Sequence, residues 1–387
     1  MLKGNMLIAH GGGPTPVINS SLLGAVREAL THSEIETIYG ARFGAEGILA
    51  GDLIDLGKFS DEDLALLART PASALGSCRR KLTDADYPAV LECFKKFNIR
   101  YFFYNGGNDS MDTCNKIYNL SVETGYELRV IGIPKTIDND LDVTDHCPGF
   151  GSAAKYAAVS ALELAQDASA LPIHVVVMEL MGRNAGWITA ASALYADLMP
   201  CEHLVYLPEV AFDKEKFLAA VKEKFAKGRG LLVTISEGIH YADGTPVADS
   251  GVVDGFGHKV PGGAAQALSD MIMQETGLKS RSEKPGLLGR VSVGLMSDVD
   301  RREAEEAGAC AVRSAVEGKT GFMVGFETTR DPYTSRTILI PLEQVANAEK
   351  KFPLDWIGDD GASIRPEFKT YCLPLLGDYD SRFISLR

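Results

Sequence analysis

The 387-residue sequence has no Cys-x-x-Cys pair, no apolar run of the roughly twenty residues that a membrane helix needs, and no basic stripe along any predicted helix. Each absence excludes something. Seven scattered cysteines (Cys78, Cys93, Cys114, Cys147, Cys201, Cys310 and Cys372), an odd set without metal-site spacing, point to reduced thiols in a cytoplasmic protein rather than a disulfide framework. The short apolar run within residues 1–10 leads straight into glycines, so neither a signal peptide nor a membrane span is expected there. With 39 Lys and Arg against 52 Asp and Glu, the net charge of −13 argues against a nucleic-acid partner. An anionic ligand would therefore depend on local cations. No repeat or low-complexity tract is present.

What remains is an alternation. Apolar strand-like runs over 6–9, 37–42, 101–104, 128–133, 173–179, 203–207 and 231–236 are separated by helical patterns over 17–30, 61–69, 86–97, 111–124, 153–167, 188–196, 213–227 and 263–276. Strands alternating with helices of this length predict an α/β fold whose mainly parallel sheets are flanked by helices. The length suits two domains or one large one, with hinges expected near 147–151 and 279–286. Within 319–336 a strand-like 322–326 precedes a loop at 328–335, and from 351 the pattern fades.

Three strand ends carry chemistry. Pro134-Lys135-Thr136-Ile137-Asp138-Asn139-Asp140 stops the apolar run before it, at the strand's carboxyl end, where open α/β sheets bind ligands. In an extended run Thr136, Asp138 and Asp140 share one face and Lys135 takes the other. A hydroxyl and two carboxylates suit base or metal chemistry, and an ammonium suits a phosphate. An Asp-rich turn can equally cap itself. Upstream, however, Asn105-Gly106-Gly107-Asn108-Asp109-Ser110 breaks a strand before a helix, which builds an anion site from free N–H groups and the helix dipole. Gly11-Gly12-Gly13-Pro14 is a third such turn, with neither the Gly-x-Gly-x-x-Gly nor the Gly-Lys-Ser/Thr ending of nucleotide loops. A phosphate site beside a base site implies phosphoryl transfer.

Taken in order, Gly12-Gly13 with Asn19, Gly106 to Ser110, Pro134 to Asp140, Met181-Gly182-Arg183 and Ser236-Glu237-Gly238 resemble the phosphofructokinase family, over about 6–316. The resemblance implies two domains with the active site in the cleft between them. Residues 1–147 with roughly 288–345 would hold the phosphoryl donor, and 148–287 with roughly 346–387 the sugar phosphate. It also implies transfer to the 1-hydroxyl of fructose 6-phosphate, with Mg²⁺, in a homodimer or homotetramer. By the same resemblance Asp138 is the general base, an ionised Asp at neutral pH. Thr136 and Asp140 orient the acceptor and the metal-phosphate end. Met181, Gly182, Arg183 and Glu237 line the sugar, and Arg183 also stabilises the transferred group. Gly12, Gly13, Arg79, Gly107, Asn108, Asp109, Ser110 and Lys135 form the donor side, and Asn108, Asp109 and Asp140 the metal side.

The family's ATP users generally have glycine where this chain has Asp109 and Lys135, whereas its pyrophosphate users carry Asp and Lys. A carboxylate ~4 Å from an α-phosphate oxygen costs about 4 kcal/mol at an effective dielectric near 20, roughly a thousandfold in affinity. Lys135 serves the compact diphosphate. The resemblance thus implies a reversible pyrophosphate-dependent enzyme. The rivals are an ATP-dependent member of the fold and a non-catalytic sugar-phosphate binder that lost metal chemistry through Asn108, which stands where many members have Asp. Two further departures concern the sugar. His174 replaces an arginine of the bacterial ATP enzymes, and Gly286-Leu287-Leu288-Gly289-Arg290 replaces Gly-Tyr or Gly-His before Gln-Arg. Arg290 and Arg281 keep the family spacing as phosphate ligands, and the acceptor range could extend to sedoheptulose 7-phosphate.

Overall fold

The computed structural model describes residues 2–253, 259–261, 263–346, 348–384 and 386. The chain divides into two compact units, Met1–Ser152 with Arg290–Lys350, and Ala153–Gly289 with Lys351–Arg387. The first contributes strands β1 (Gly4–His10), β2 (Ile35–Ala41), β3 (Leu53–Asp55), β4 (Ile99–Gly106) and β5 (Arg129–Pro134). The second contributes β6 (His174–Leu180), β7 (Glu202–Tyr206), β8 (Leu231–Ser236), β9 (Asp249–Val253), β10 (Lys259–Pro261) and β11 (Lys279–Glu283). The chain then returns to the first unit with β12 (Phe322–Arg330) and β13 (Tyr333–Pro341).

In the first unit the strands form one sheet in the order β13-β12-β5-β4-β1-β2-β3. Its interior is parallel, and only the edge strands β3 and β13 run antiparallel to their neighbours. Successive side chains alternate faces, and both faces are buried. Met6, Ile8, Tyr101, Phe103, Ile131 and Ile133 pack on helices Ile18–Ala29 and Asp298–Val316. Leu7, Ala9, Phe102, Tyr104 and Val130 pack on helices Tyr87–Lys96 and Asn108–Thr124. This double burial is why these strands read as unbroken apolar runs. Helices Ile18–Ala29 and Asp298–Val316 touch through glycine: a methyl group on Gly308 would lie 2.0 Å from the Ser21 carbonyl oxygen, and one on Gly24 1.9 Å from that of Glu305.

In the second unit β11-β6-β8-β7 form a fully parallel sheet, and β9 with β10 forms a separate antiparallel pair. Val175, Val177, Val233 and Ile235 pack on helices Lys214–Phe225 and Ala264–Thr276. Helix Phe150–Ala170 carries the chain into this unit from the first. Among the described residues no helix is long and apolar enough to cross a membrane, and all seven cysteines are free thiols.

Several expectations need correction. Residues 279–283, expected as part of a hinge, form edge strand β11, whose Lys-Ser-Arg-Ser-Glu sequence stays polar because one of its flanks and much of its side-chain surface face solvent. The loop expected over 328–335 is instead the two ends of the β12–β13 hairpin, with Thr329 opposite Thr334 and Arg330 opposite Tyr333. The helix expected over 188–196 instead spans Trp187–Ala191. The faded segment from 351 is ordered by aromatics: Phe352, Trp356, Phe368 and Tyr371 surround Trp187 with ring centroids 5.1–6.4 Å away.

Candidate active site

In the first unit β1, β4 and β5 end in register, with His10 beside Asn105 and Asn105 beside Ile133. This alignment brings the Gly11 turn, the Gly107 turn and the Lys135 loop together at the carboxyl ends of the sheet's central strands. The Gly11 turn is held by Gly11 N–H on Asn105 O at 2.9 Å and Gly12 N–H on Cys78 O at 3.0 Å, while Ser77 Oγ donates to Gly12 O at 2.7 Å. Gly12 has φ +76°, a conformation that favours glycine. Asn19 anchors the loop leading to Arg79, donating to Thr70 O and Ala72 O and accepting from Ala74 N–H, each at 2.8 Å.

Three cations converge on Gly13. Lys135 Nζ donates to Gly13 O at 2.7 Å, and a methyl group on Gly13 would lie 2.9 Å from Arg290 Nη1 and 3.6 Å from Arg79 Nη2. Lys135 is buried, 4% exposed. Burial pulls its ammonium down to about 8, opposed by the carboxylates of Asp138 and Asp140 and reinforced by Arg290 and Arg79. A buried cation among other cations is a site that an anion relieves. The structure therefore places Arg290 beside the glycine turn, in the first unit with Arg79 and Lys135, and Arg281 in the second unit on β11.

Lys135 N–H bonds Gly106 O at 3.1 Å, coupling its loop to the Gly107 turn. The helix after that turn begins at Asn108, earlier than the Met111 expected, so Asn108, Asp109 and Ser110 form its first turn. Ser110 N–H is taken by Gly107 O at 2.9 Å, and the N–H groups of Asn108 and Asp109 are left without intrahelical acceptors. Ser110 closes under the glycines, and a methyl group on Gly106 would meet its Oγ at 2.0 Å. Asp109 is 82% exposed and its nearest partner is Lys81 Nζ at 3.5 Å. In that setting its repulsion of a nucleotide drops from about 4 toward about 1 kcal/mol.

The loop from Lys135 to Asp140 is a turn rather than an extended run. Thr136 Oγ1 accepts from Asp138 N–H at 3.0 Å and donates to Asp140 Oδ1 at 3.0 Å. Asn139 has φ +54°, and its buried side chain accepts from Cys147 N–H at 3.1 Å. Burial pushes the Asp140 carboxyl up, against the Thr136 hydrogen bond. Asn108 Nδ2 donates to Asp140 Oδ2 at 3.2 Å, which leaves Asn108 Oδ1 buried without a hydrogen-bond partner. Among the described residues no three His, Cys, Asp or Glu side chains cluster as a metal site.

The loop is braced from behind. Thr136 bridges Gly149, whose N–H rests on Asp300 Oδ1 at 2.8 Å, and Ser152 N–H meets Asp300 Oδ2 at 2.9 Å. Nearby, His146 lies between Glu303 at 2.7 Å and Asp145 at 3.0 Å. Burial opposes its charge, but these two acceptors prevail and raise it to about 9.

In the second unit β6 and β8 end together, Leu180 beside Ser236, so Met181-Gly182-Arg183 and Glu237-Gly238 leave neighbouring strands. Ser236 Oγ donates to Gly182 O, and a methyl group on Gly238 would lie 1.8 Å from Arg183 O, so the two turns pack backbone to backbone. Burial raises the Glu237 carboxyl; the Gly182 N–H bonded to it and the charges of Lys284 and Arg183 act the other way. One strand residue earlier, Glu179 is buried, accepts from Ala265 N–H at 3.0 Å and pairs with Lys284 Nζ at 2.5 Å. This pair was missed in the sequence, where Glu179 looks like an ordinary strand residue. His174 opens β6 at its amino end, about 20 Å along the strand from Met181.

Residues 5–315 match the family model described as Phosphofructokinase. A pyrophosphate–fructose 6-phosphate 1-phosphotransferase of Halomonas elongata is 42% identical over 98% of this chain and 93% of its own length. The protein of that name from Methylococcus capsulatus is 42% identical over the same shares, 98% and 93%. Among solved structures, a pyrophosphate-dependent phosphofructokinase from Nitrosospira multiformis superposes with a TM-score of 0.90 at 38% identity, covering 99% of this chain and 94% of that one.

Proposed function

The chain belongs to the phosphofructokinase family, and on that premise we propose that it transfers a phosphoryl group reversibly between pyrophosphate and the 1-hydroxyl of fructose 6-phosphate, yielding fructose 1,6-bisphosphate and phosphate. The observation that carries the choice of donor is the Lys135 ammonium, buried and bonded to the Gly13 carbonyl. Lys135 occupies, with a full positive charge, space that a glycine at this position would leave open. With Arg79 and Arg290 it makes a compact tricationic corner on the glycine turn, suited to a small, highly charged diphosphate.

Asp138 takes the proton from the acceptor hydroxyl, and Thr136 fixes it by holding its backbone N–H. Lys135, Arg79 and Arg290 hold the diphosphate and stabilise charge as the bridging oxygen leaves. Arg183, Met181, Gly182 and Glu237 bind the sugar, Glu237 accepting hydrogen bonds from its hydroxyls. The orphaned Asn108 Oδ1 beside the Asp140 carboxylate fits a hard cation, which needs few protein oxygens when phosphates supply the rest. Mg²⁺ held there would neutralise phosphate charge. Asp109, the third residue expected on the metal side, pairs with Lys81 at 3.5 Å.

The expected setting is a homodimer or homotetramer in the cytoplasm, serving glycolysis or gluconeogenesis. The seven free thiols support a reducing compartment. The test is turnover of purified protein with Mg²⁺ and fructose 6-phosphate, offering pyrophosphate or ATP and measuring fructose 1,6-bisphosphate. Product from pyrophosphate alone is expected; product from ATP alone would overturn the donor assignment.

A further inference from the structure

Beside the turns of the second unit proposed to bind the sugar stands a cation outside the candidate site residues, Lys284. Strands β11, β6 and β8 are parallel neighbours, and Glu283 pairs with Met178, so the next residue, Lys284, comes level with Glu179. Its Nζ reaches Glu179 Oε1 at 2.5 Å while its side chain stays 48% exposed, against 1% for that of Glu179. An ammonium carries three N–H donors. Glu179 lies against this head as an ion pair, and the half-exposed side chain keeps donors for a ligand. The same ammonium acts on the Glu237 carboxyl together with Arg183, so it belongs to the group that leaves the ends of β6 and β8.

Charge makes the need for it concrete. Glu179 and Glu237 bring two negative charges to this group, and a sugar phosphate brings about two more. Arg290 Nη1 lies beside Gly13, and within the second unit itself the arginines of this group are Arg183 and Arg281. The aromatic or imidazole and the Gln expected before Arg290 are replaced by Leu287, Leu288 and Gly289. Arg183 and Arg281 alone would leave the group with no excess positive charge. We propose that Lys284 is a binding residue for the anionic end of the sugar-phosphate substrate, with Glu179 as the positioning residue that aims it. This rests on the proposed sugar-phosphate reading and adds a ligand to it.

The competing role for Lys284 is that of a plain counter-ion to a carboxylate that caps helix Ala264–Thr276, and a double-variant comparison separates the two. Lys284→Met should raise KM for fructose 6-phosphate about 10- to 100-fold, the loss expected for one charge-assisted hydrogen bond. It should leave kcat within about threefold and KM for pyrophosphate unchanged, and Lys284→Arg should recover most of the loss. Glu179→Gln with Lys284→Met removes both charges while Gln keeps an acceptor for Ala265. A ligand role predicts that the double variant keeps the raised KM, and a counter-ion role predicts that it returns to the wild-type value, which would overturn the proposal. The dissociation constant of fructose 6-phosphate, measured by calorimetry without any donor, reads Lys284 independently of turnover. A wild-type chain that binds the sugar phosphate but turns over neither donor refutes the catalytic reading alone, and unchanged binding by Lys284→Met refutes this one alone.

Discussion

Lys135→Met should make the protein more stable and a worse enzyme at once. The folded state holds the Lys135 ammonium near 8 against an ordinary 10.5, chiefly through burial. Between those values the unfolded chain keeps a proton that the folded chain has released, so stability rises with pH across that window. Below pH 8 the folded state carries the full penalty, about 3 kcal/mol at 1.36 kcal/mol per pH step. Methionine removes that penalty with similar length, and loses the hydrogen bond to Gly13 O, worth about 1 kcal/mol. The net expectation at pH 7 is a gain of about 2 kcal/mol in urea unfolding, shrinking toward pH 10 as the wild type sheds its proton. The same change removes a charge-assisted contact with the donor, about 1.5–3 kcal/mol, or roughly a 10- to 150-fold fall in kcat/KM for pyrophosphate. A variant less stable than wild type at pH 7, or one whose pyrophosphate kinetics are unchanged, would refute the reasoning.

Asp138→Asn should lower kcat by about 10²–10⁴ with little change in either KM, the signature of a lost general base in steady-state assays. Asn108→Asp places a second carboxylate against Asp140, so the metal-free protein should melt lower, Mg²⁺ should restore the loss, and half-saturation by Mg²⁺ should fall several-fold. Gly308→Ala drives a methyl group to 2.0 Å from Ser21 O, and should cost about 1–3 kcal/mol in unfolding while leaving the KM values of the residual folded enzyme intact.

The central strands were legible because both faces of each sheet are covered, which gives β1, β4, β5, β6 and β8 mainly apolar middles. Edge strands escape that signal. β11 pairs on one side and stays polar, and β13 exposes Thr334, Ser335 and Arg336. The glycine turns and the Lys135 loop could be placed because each interrupts an apolar run. What they touch could not be read along the chain: Arg290 on Gly13, Asp109 on Lys81 and Lys284 on Glu179 are long-range partners without a local pattern. Asn19 stands out as part of a motif, but its task, three hydrogen bonds to the backbone of the loop that presents Arg79, emerges only in three dimensions.

The central claim is that the tricationic corner on Gly13 takes diphosphate in preference to a nucleotide. Phosphorus NMR of one reaction containing equal pyrophosphate and ATP, fructose 6-phosphate and Mg²⁺ follows every donor and product together. The account predicts that the pyrophosphate signal decays as the 1-phosphate of fructose 1,6-bisphosphate grows, with the ATP β-phosphate unchanged. Loss of the ATP γ-phosphate signal while pyrophosphate persists would contradict it.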